Sequence, residues 1–495
     1  MRTFVVAIVL VLIWGCPPMV KADESPEYVP ETDPLVLQKL EQWQDLKFGL
    51  LMHWGTYSQW GIVESWSLCP EDYGWCERKK GSAPQDYFAY KHEYEGLQHT
   101  FNPVKFDPAR WAAAAAAAGM KYVVFTTKHH DGFCMFDSQE TDYTIADDGC
   151  PFSTDPQADV TRAIFDSFRA EGLWTGAYFS KPDWHSEHYW HPYFPPLDRN
   201  VNYDPEAYPE RWEQFVQFTH NQIMELMTGY GDVDILWLDG GWVAKKDAPD
   251  IREWYTQKLT ETDSGFLKKR IVNQDIRMDE IVAKARQKQP GLIVVDRAVP
   301  GPNQNYLTPE NRVPEQALPY PWESCIIAGG SWSWVPDARY KTTREAVQLL
   351  VDIVAKGGNL LLNIAPGPDG TWDEDAYEML QGVGAWMDVN SEAIHGTRAL
   401  APFKSGDVCF TRKEAEDVVY AIHLATRTET APPARFTFEG VTPVPGARIT
   451  MLGVGGEFEW KHRDGTTVVE IPRRIQEDPP CADAWVLQIS AVEDN

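Results

Sequence analysis

The chain is short of positive charge and lacks several signatures that would place it in other functional classes. Against 73 Asp and Glu it sets only 45 Lys and Arg, for a formal net charge of −28 and a pI near 4.8. Nucleic acid and anionic membrane surfaces are therefore poor partners. No apolar run reaches the roughly 18 residues that mark a spanning helix, so no membrane span is expected. The sequence has no glycine-rich nucleotide loop, no internal repeat and no heptad run, and the Ala112 to Ala118 tract reads as one short helix. It has no Asn-X-Ser/Thr acceptor. Its eight cysteines show no metal-type spacing, so neither a metal nor a cofactor is expected. Seven of them follow Ala22, an odd number that leaves at least one thiol unpaired. Cys69 and Cys76 bracket a loop and are the pair placed to join in an oxidising compartment.

Aromatics, in contrast, are abundant. The 21 Trp and 20 Tyr exceed what core packing asks for, and many fall in the long segments Gln59 to Tyr90 and Asp183 to Tyr208. Some of them pin those loops to the body of the protein. The rest suit a sugar ligand, because aromatic faces pack on the C–H faces of pyranose rings.

The run DVDILWLDGGW, Asp232 to Trp242, drives an apolar strand into a carboxylate, two glycines and a tryptophan. Asp before Gly-Gly is also ordinary turn chemistry, so Asp239 alone decides nothing. Six other segments have the same form, apolar or β-branched and then abruptly polar: 47–55, 121–132, 172–184, 291–299, 324–332 and 357–370. Between them, residues 107–120, 159–172, 209–231, 278–291 and 342–358 carry apolar residues at helical spacing and mostly stop at Gly. Strand and helix in alternation over this length predict an α/β fold, a closed (β/α)8-like barrel of the TIM type spanning 35–396. Its active site would lie at the C-terminal ends of the strands. From Phe403 the texture becomes short alternating segments between turns, which predicts a C-terminal antiparallel β-sandwich over 397–495 that braces the barrel. Met1, Arg2, an apolar stretch from Phe4 to Trp14 and small residues near Ala22 predict a signal peptide over 1–22 and export to the periplasm or the exterior. Gly15-Cys16 offers the alternative of a lipoprotein anchored at Cys16.

Carboxylates, imidazoles and aromatics at strand ends, without a nucleotide loop, suit glycoside hydrolysis, which needs two carboxylic acids across the scissile bond. Asp239 is the natural nucleophile. The second acid is sought in NYLTPENRVPE, as Glu310, with Glu315 and Glu323 as rivals.

The segments HWGTYSQWGIVESW (53–66), KHHDGF (128–133), VDILWLDGGW, NYLTPE (305–310), WESC (322–325) and KGGNLLLNIAPGPDGTW (356–372) together resemble the α-L-fucosidases of glycoside hydrolase family 29 over roughly 45–395. The resemblance implies a retaining mechanism in a barrel followed by a β-sandwich, with a fucosylated oligosaccharide or glycoconjugate as substrate. Asp239 matches the family nucleophile. Glu310 matches the acid/base in the form seen in the α-1,3/1,4-branch-selective subgroup, although Asn311 stands where that form carries Gln. Glu323 is the alternative acid/base. His53, His129 and His130 match the fucose-binding imidazoles, Trp54 and Trp237 are expected to line the pocket, and Tyr178 matches a strand-end tyrosine near the nucleophile. Glu64 and Arg297 look like the groups that hold the sugar or the two acids. Three rival readings stay open: a broader α-L-fucosidase that also takes α-1,2 linkages, a non-catalytic glycan-binding protein, and a metal hydrolase using His53, His129, His130 and Asp131. Adjacent strand residues point to opposite faces, which counts against His129 and His130 sharing an ion.

Overall fold

The structure, a computed structural model, describes residues 28–262, 267 and 269–493, so the expected signal segment and Cys16 lie outside the described residues. Seven parallel strands form one sheet: β1 (Phe48–Met52), β2 (Tyr122–Lys128), β3 (Trp174–Ser180), β4 (Ile235–Asp239), β5 (Ile293–Asp296), β6 (Glu323–Ile327) and β7 (Asn359–Asn363), in the order β5-β4-β3-β2-β1-β7-β6. Six fall inside the apolar segments, and β6 begins one residue ahead of the segment 324–332. The runs are continuous rather than alternating because both faces are covered. Leu51, Val124, Ile235, Trp237, Ile293 and Leu361 fill the interior of the curled sheet, while Leu50, Val123, Phe125, Leu236, Val294 and Leu362 meet the outer helices.

The expected eighth strand is not present as a regular element among the described residues. β5 and β6 are the two edges of the sheet, and the chain from Asn303 to Asn311 lies between them. Asp296 N–H donates to Asn303 O (2.8 Å) and Asn305 N–H to Val294 O (2.9 Å) on one side. On the other, Glu323 N–H donates to Leu307 O (2.8 Å) and Asn311 N–H to Cys325 O (2.9 Å). Pro309 has no N–H to give, which keeps this segment from becoming a regular ladder. The sheet is therefore a seven-stranded (β/α)-type half-barrel with an irregular seam, and the seam carries Glu310.

The helices are α1 (Pro34–Leu46), α2 (Tyr87–Glu95), α3 (Pro108–Ala117), α4 (Val160–Ala170), α5 (Pro209–Gly229), α6 (Ala248–Glu261), α7 (Met278–Lys288), α8 (Thr343–Ala355) and α9 (Glu374–Asn390). α3 and α4 begin with Asp107 and Asp159 accepting from backbone N–H groups, and α8 begins with a full capping box between Thr342 and Glu345. α1 closes the N-terminal end of the barrel, where Trp43 stacks on Tyr306 at 4.0 Å.

β8 (Arg398–Ser405), β9 (Val408–Lys413), β10 (Val418–Leu424), β12 (Ile449–Met451) and β15 (Ala484–Ile489) make one antiparallel sheet. β11 (Arg435–Glu439), β13 (Trp460–Arg463) and β14 (Thr466–Glu470) make a second. Phe410, Phe436, Phe438, Val469 and Trp485 share one core between the two sheets. This domain is tied to the outer helices of the barrel by Arg344 Nε on Asp483 (2.8 Å), Gln348 Nε2 on Ala425 O (2.6 Å) and Trp386 Nε1 on Ala484 O (2.9 Å). Among the described residues no helix is long and apolar enough to cross a membrane. The seven described cysteines are free thiols, Cys69 and Cys76 included.

Candidate active site

The C-terminal ends of the strands open into a cavity of about 430 Å³, at the lower end of the range for small-molecule sites. Asp239, the last residue of β4, projects into it. Its Oδ2 accepts from the Tyr178 hydroxyl (2.7 Å), and its Oδ1 accepts from Gly240 N–H (2.8 Å) and Arg297 Nη1 (3.2 Å). Burial pushes this carboxyl up, but the Arg297 guanidinium, His130, the Tyr178 hydroxyl and the Gly240 N–H together outweigh it. They hold the group far below the ordinary carboxylate range, so it is ionised throughout the working pH range. The two glycines that follow are required by space: a Cβ on Gly240 would lie 2.3 Å from Pro182 Cδ, and one on Gly241 would lie 2.8 Å from Arg297 O. The turn chemistry and the placement of the carboxylate are thus one feature.

Arg297, just past β5, joins two carboxylates. Its Nη1 reaches Asp239 while its Nη2 donates to Glu310 Oε2, and its guanidinium lies 5.3 Å from the Trp237 ring. Glu310 Oε1 accepts from Trp332 Nε1 (3.2 Å), and its side chain is 43% exposed against 17% for Asp239. One carboxylate is therefore fixed at the pocket floor and the other is hung at its mouth.

His53 pairs with Asn363 Oδ1 (2.9 Å) and packs against Tyr178 and Trp332, and His129 pairs with Ser65 Oγ (2.6 Å). Burial lowers all three imidazoles, His53 to about 4, His130 to about 3 and His129 well below its usual value, so they are neutral near pH 7 and able to exchange hydrogen bonds with uncharged hydroxyls. Glu64 is buried, accepts from Ser333 N–H (2.9 Å) and is pushed up to about 8 by burial, with Glu310 and Asp239 adding to the rise. It holds its proton at neutral pH, which spares the pocket a further negative charge beside Asp239 and gives it a hydroxyl to donate.

The α-L-fucosidase sequence model matches residues 17–392, and the model of the α-L-fucosidase C-terminal domain matches 402–490. The chain belongs to the α-L-fucosidase family. It is 28% identical over 490 residues to the plasma α-L-fucosidase of Homo sapiens, covering 95% of this chain and 94% of the relative. It is 27% identical over 488 residues to an α-L-fucosidase of Branchiostoma floridae, at 94% and 97% coverage. Among solved structures, α-L-fucosidase isoenzyme 1 from Paenibacillus thiaminolyticus superimposes with a TM-score of 0.70 at 28% identity, covering 93% of this chain and all of that one. The Thermotoga maritima α-fucosidase in complex with fucose gives 0.68 at 25% identity, covering 94% and 100%. The protein is a glycoside hydrolase.

Within this α-L-fucosidase fold, His53, Glu64, His129, Tyr178, Trp237, Asp239, Arg297 and Glu310 line one cavity. His130 stands directly behind it, with Nε2 3.9 Å from Asp239 Oδ2. Trp54 does not line it. Its indole is buried, donates to Gly367 O (3.1 Å) and packs on Phe101, Phe106 and Trp111. The opposite-face argument about His129 and His130 also fails: both follow Lys128, the last residue of β2, and their rings lie 4.1 Å apart. With Asp239 they offer ligand atoms within 4.8 Å of one another. That carboxylate already accepts from a guanidinium and a phenol, however, and a cation there would compete directly with Arg297. Asp131 is turned elsewhere, accepting from Tyr94 (2.7 Å).

Glu323, the alternative acid, lies below the cavity at the start of β6 and is completely buried. It accepts from Tyr122 (2.5 Å) and Trp237 Nε1 (3.3 Å), with no cation beside it among the described residues. Burial raises it to about 7 from 4.5. The unfolded chain therefore binds fewer protons than the folded one between about 4.5 and 7, and this group costs the wild type about 1.4 kcal/mol of stability per pH unit there. Glu323→Gln cannot titrate, so denaturant melts should favour the variant over wild type by about 2 to 3 kcal/mol more at pH 7 than at pH 5. A difference that does not change with pH contradicts a neutral acid at this position.

Residue-level reading of the sequence missed the pocket roles of Trp66, Arg199 and Trp332, which line the cavity beside Trp242. Trp66 and Trp332 sit at the ends of the segments 53–66 and 324–332 and were within reach. Arg199 comes from a long loop with no periodic signal.

Proposed function

We propose that this α-L-fucosidase is a retaining enzyme that removes terminal α-1,3/1,4-linked L-fucose from branched glycans by double displacement. The observation that carries the reading is Arg297 spanning Asp239 and Glu310. A single guanidinium shared by both acids favours the short separation, about 5 to 5.5 Å, of retaining enzymes over the wider gap that accommodates a water. Asp239, ionised and fixed on a strand end, attacks the anomeric carbon as Glu310 gives its proton to the departing glycosidic oxygen. The C–O bond to the leaving sugar breaks and a fucosyl ester forms on Asp239. Glu310, now a carboxylate, takes a proton from water, whose oxygen attacks the anomeric carbon and frees Asp239. His53, His129 and Glu64 hold the sugar hydroxyls, and Trp237 offers an apolar face to the C5 methyl of this 6-deoxy sugar.

The linkage preference rests on the Thr308-Pro309-Glu310 segment and its likeness to the branch-selective subgroup. Fucose release from an α-1,3/1,4-branched trisaccharide should exceed release from an α-1,2-linked trisaccharide at least tenfold in kcat/KM. Equal rates point instead to a broad-specificity enzyme, and binding without release points to a glycan-binding protein. Export after cleavage behind Ala22 completes the reading. Its check is the N-terminal mass of the protein recovered outside the cytoplasm, with a lipid-modified Cys16 as the contrary result.

A further inference from the structure

One wall of the cavity is built by loop residues rather than strand ends. The Arg199 guanidinium carbon lies 4.8 Å from the Trp66 ring and 5.1 Å from the Trp242 ring. Glu71 holds it in a fork, accepting from Nε (2.8 Å), Nη2 (2.6 Å) and the Arg199 backbone N–H (3.1 Å). Among the described residues, Nη1 has no acceptor. Tyr73 lies 6.0 Å further along, and Trp75 is stacked on Tyr73 at 4.6 Å and 5°. The row thus runs outward from the cavity in steps of one ring. Aromatics that only pin these loops are buried, as Tyr90 and Trp184 are, whereas Trp75 is 48% exposed.

We propose that the Tyr73–Trp75 pair, reached from the catalytic pocket across Arg199, is a distal sugar-binding subsite for the part of the glycan that bears the fucose. The inference rests on the glycan-hydrolysing reading of the pocket. The outer face of Trp75, held in place by its stack on Tyr73, takes the C–H face of a neutral pyranose ring. The free Nη1 of Arg199 and the Lys269 ammonium, 5.6 Å from the Tyr73 ring, supply donors for ring hydroxyls. Because Glu71 compensates the Arg199 charge, Arg199 acts in the subsite as a hydrogen-bond donor rather than as a bare cation. The fork also fixes the guanidinium before substrate arrives, which lowers the ordering cost of binding.

The test compares kcat/KM of wild type, Trp75→Ala and Trp75→Phe on two substrates. One is a fucosylated pentasaccharide, in the linkage the wild type cleaves best, and the other is 4-nitrophenyl α-L-fucoside, which has no sugar beyond the fucose. The ratio of pentasaccharide to aryl activity is expected to fall about fivefold in Trp75→Ala, mainly through KM, and to be largely restored in Trp75→Phe. An unchanged ratio overturns the subsite while leaving the proposed function standing. No fucose release by the wild type from either substrate overturns both.

Discussion

Asp239→Ala is expected to lower kcat by about 10⁴-fold or more on any α-L-fucoside, about 5.5 kcal/mol of lost transition-state stabilisation. Without the carboxylate the anomeric carbon has no covalent partner, and the developing positive charge on the sugar loses the anion that faces it. The side chain is partly open to the cavity and its removal leaves Arg297 paired with Glu310, so the thermal midpoint should move by only a few degrees. Fucose release by the purified variant at near wild-type rate, with the fold intact, removes Asp239 from the mechanism.

The second large effect depends on the leaving group. Glu310→Gln should lower kcat/KM on glycan substrates by about 10² to 10⁴, because a sugar hydroxyl is a poor leaving group that needs its proton supplied. An aryl fucoside leaves as a stabilised phenolate and needs little help, so the first step survives while the second, which needs the base, slows. Stopped-flow traces should then show a burst of about one phenol per enzyme followed by slow turnover. Equal losses on both substrates with no burst count against Glu310. The same burst in Glu323→Gln instead would transfer the role to Glu323, which sits beneath the pocket and does not line it.

The strands and the floor of the site were legible because burial on both faces writes continuous apolar runs that end where polar chemistry begins. Helices α1, α2, α6 and α9 were not foreseen. α6 buries none of its residues and so carries no apolar stripe, and α9 contains Gly384, where a Cβ would lie 2.5 Å from Ala117 O and prevent its close packing on α3. The alternation rule cuts both ways at two neighbouring strand ends. After β1 it holds, sending His53 to the pocket and Trp54 into the outer core, and it overrides a family likeness that placed both inside. After β2 the regular strand has ended, and His129 and His130 turn the same way. The eighth strand failed for a related reason: Pro309 interrupts the seam that an ideal barrel would fill with a regular ladder. A loop residue such as Arg199 meets the pocket only through tertiary packing, which no local spacing records.

The most direct test of the account is to trap the first covalent step. Incubation with a 2-fluoro-fucosyl fluoride, which forms the glycosyl ester but hydrolyses it slowly, followed by peptide mass mapping, should place one fucosyl adduct on Asp239. The same label on Glu310 or on another carboxylate, or no adduct on an enzyme that still turns over substrate, would contradict double displacement through Asp239.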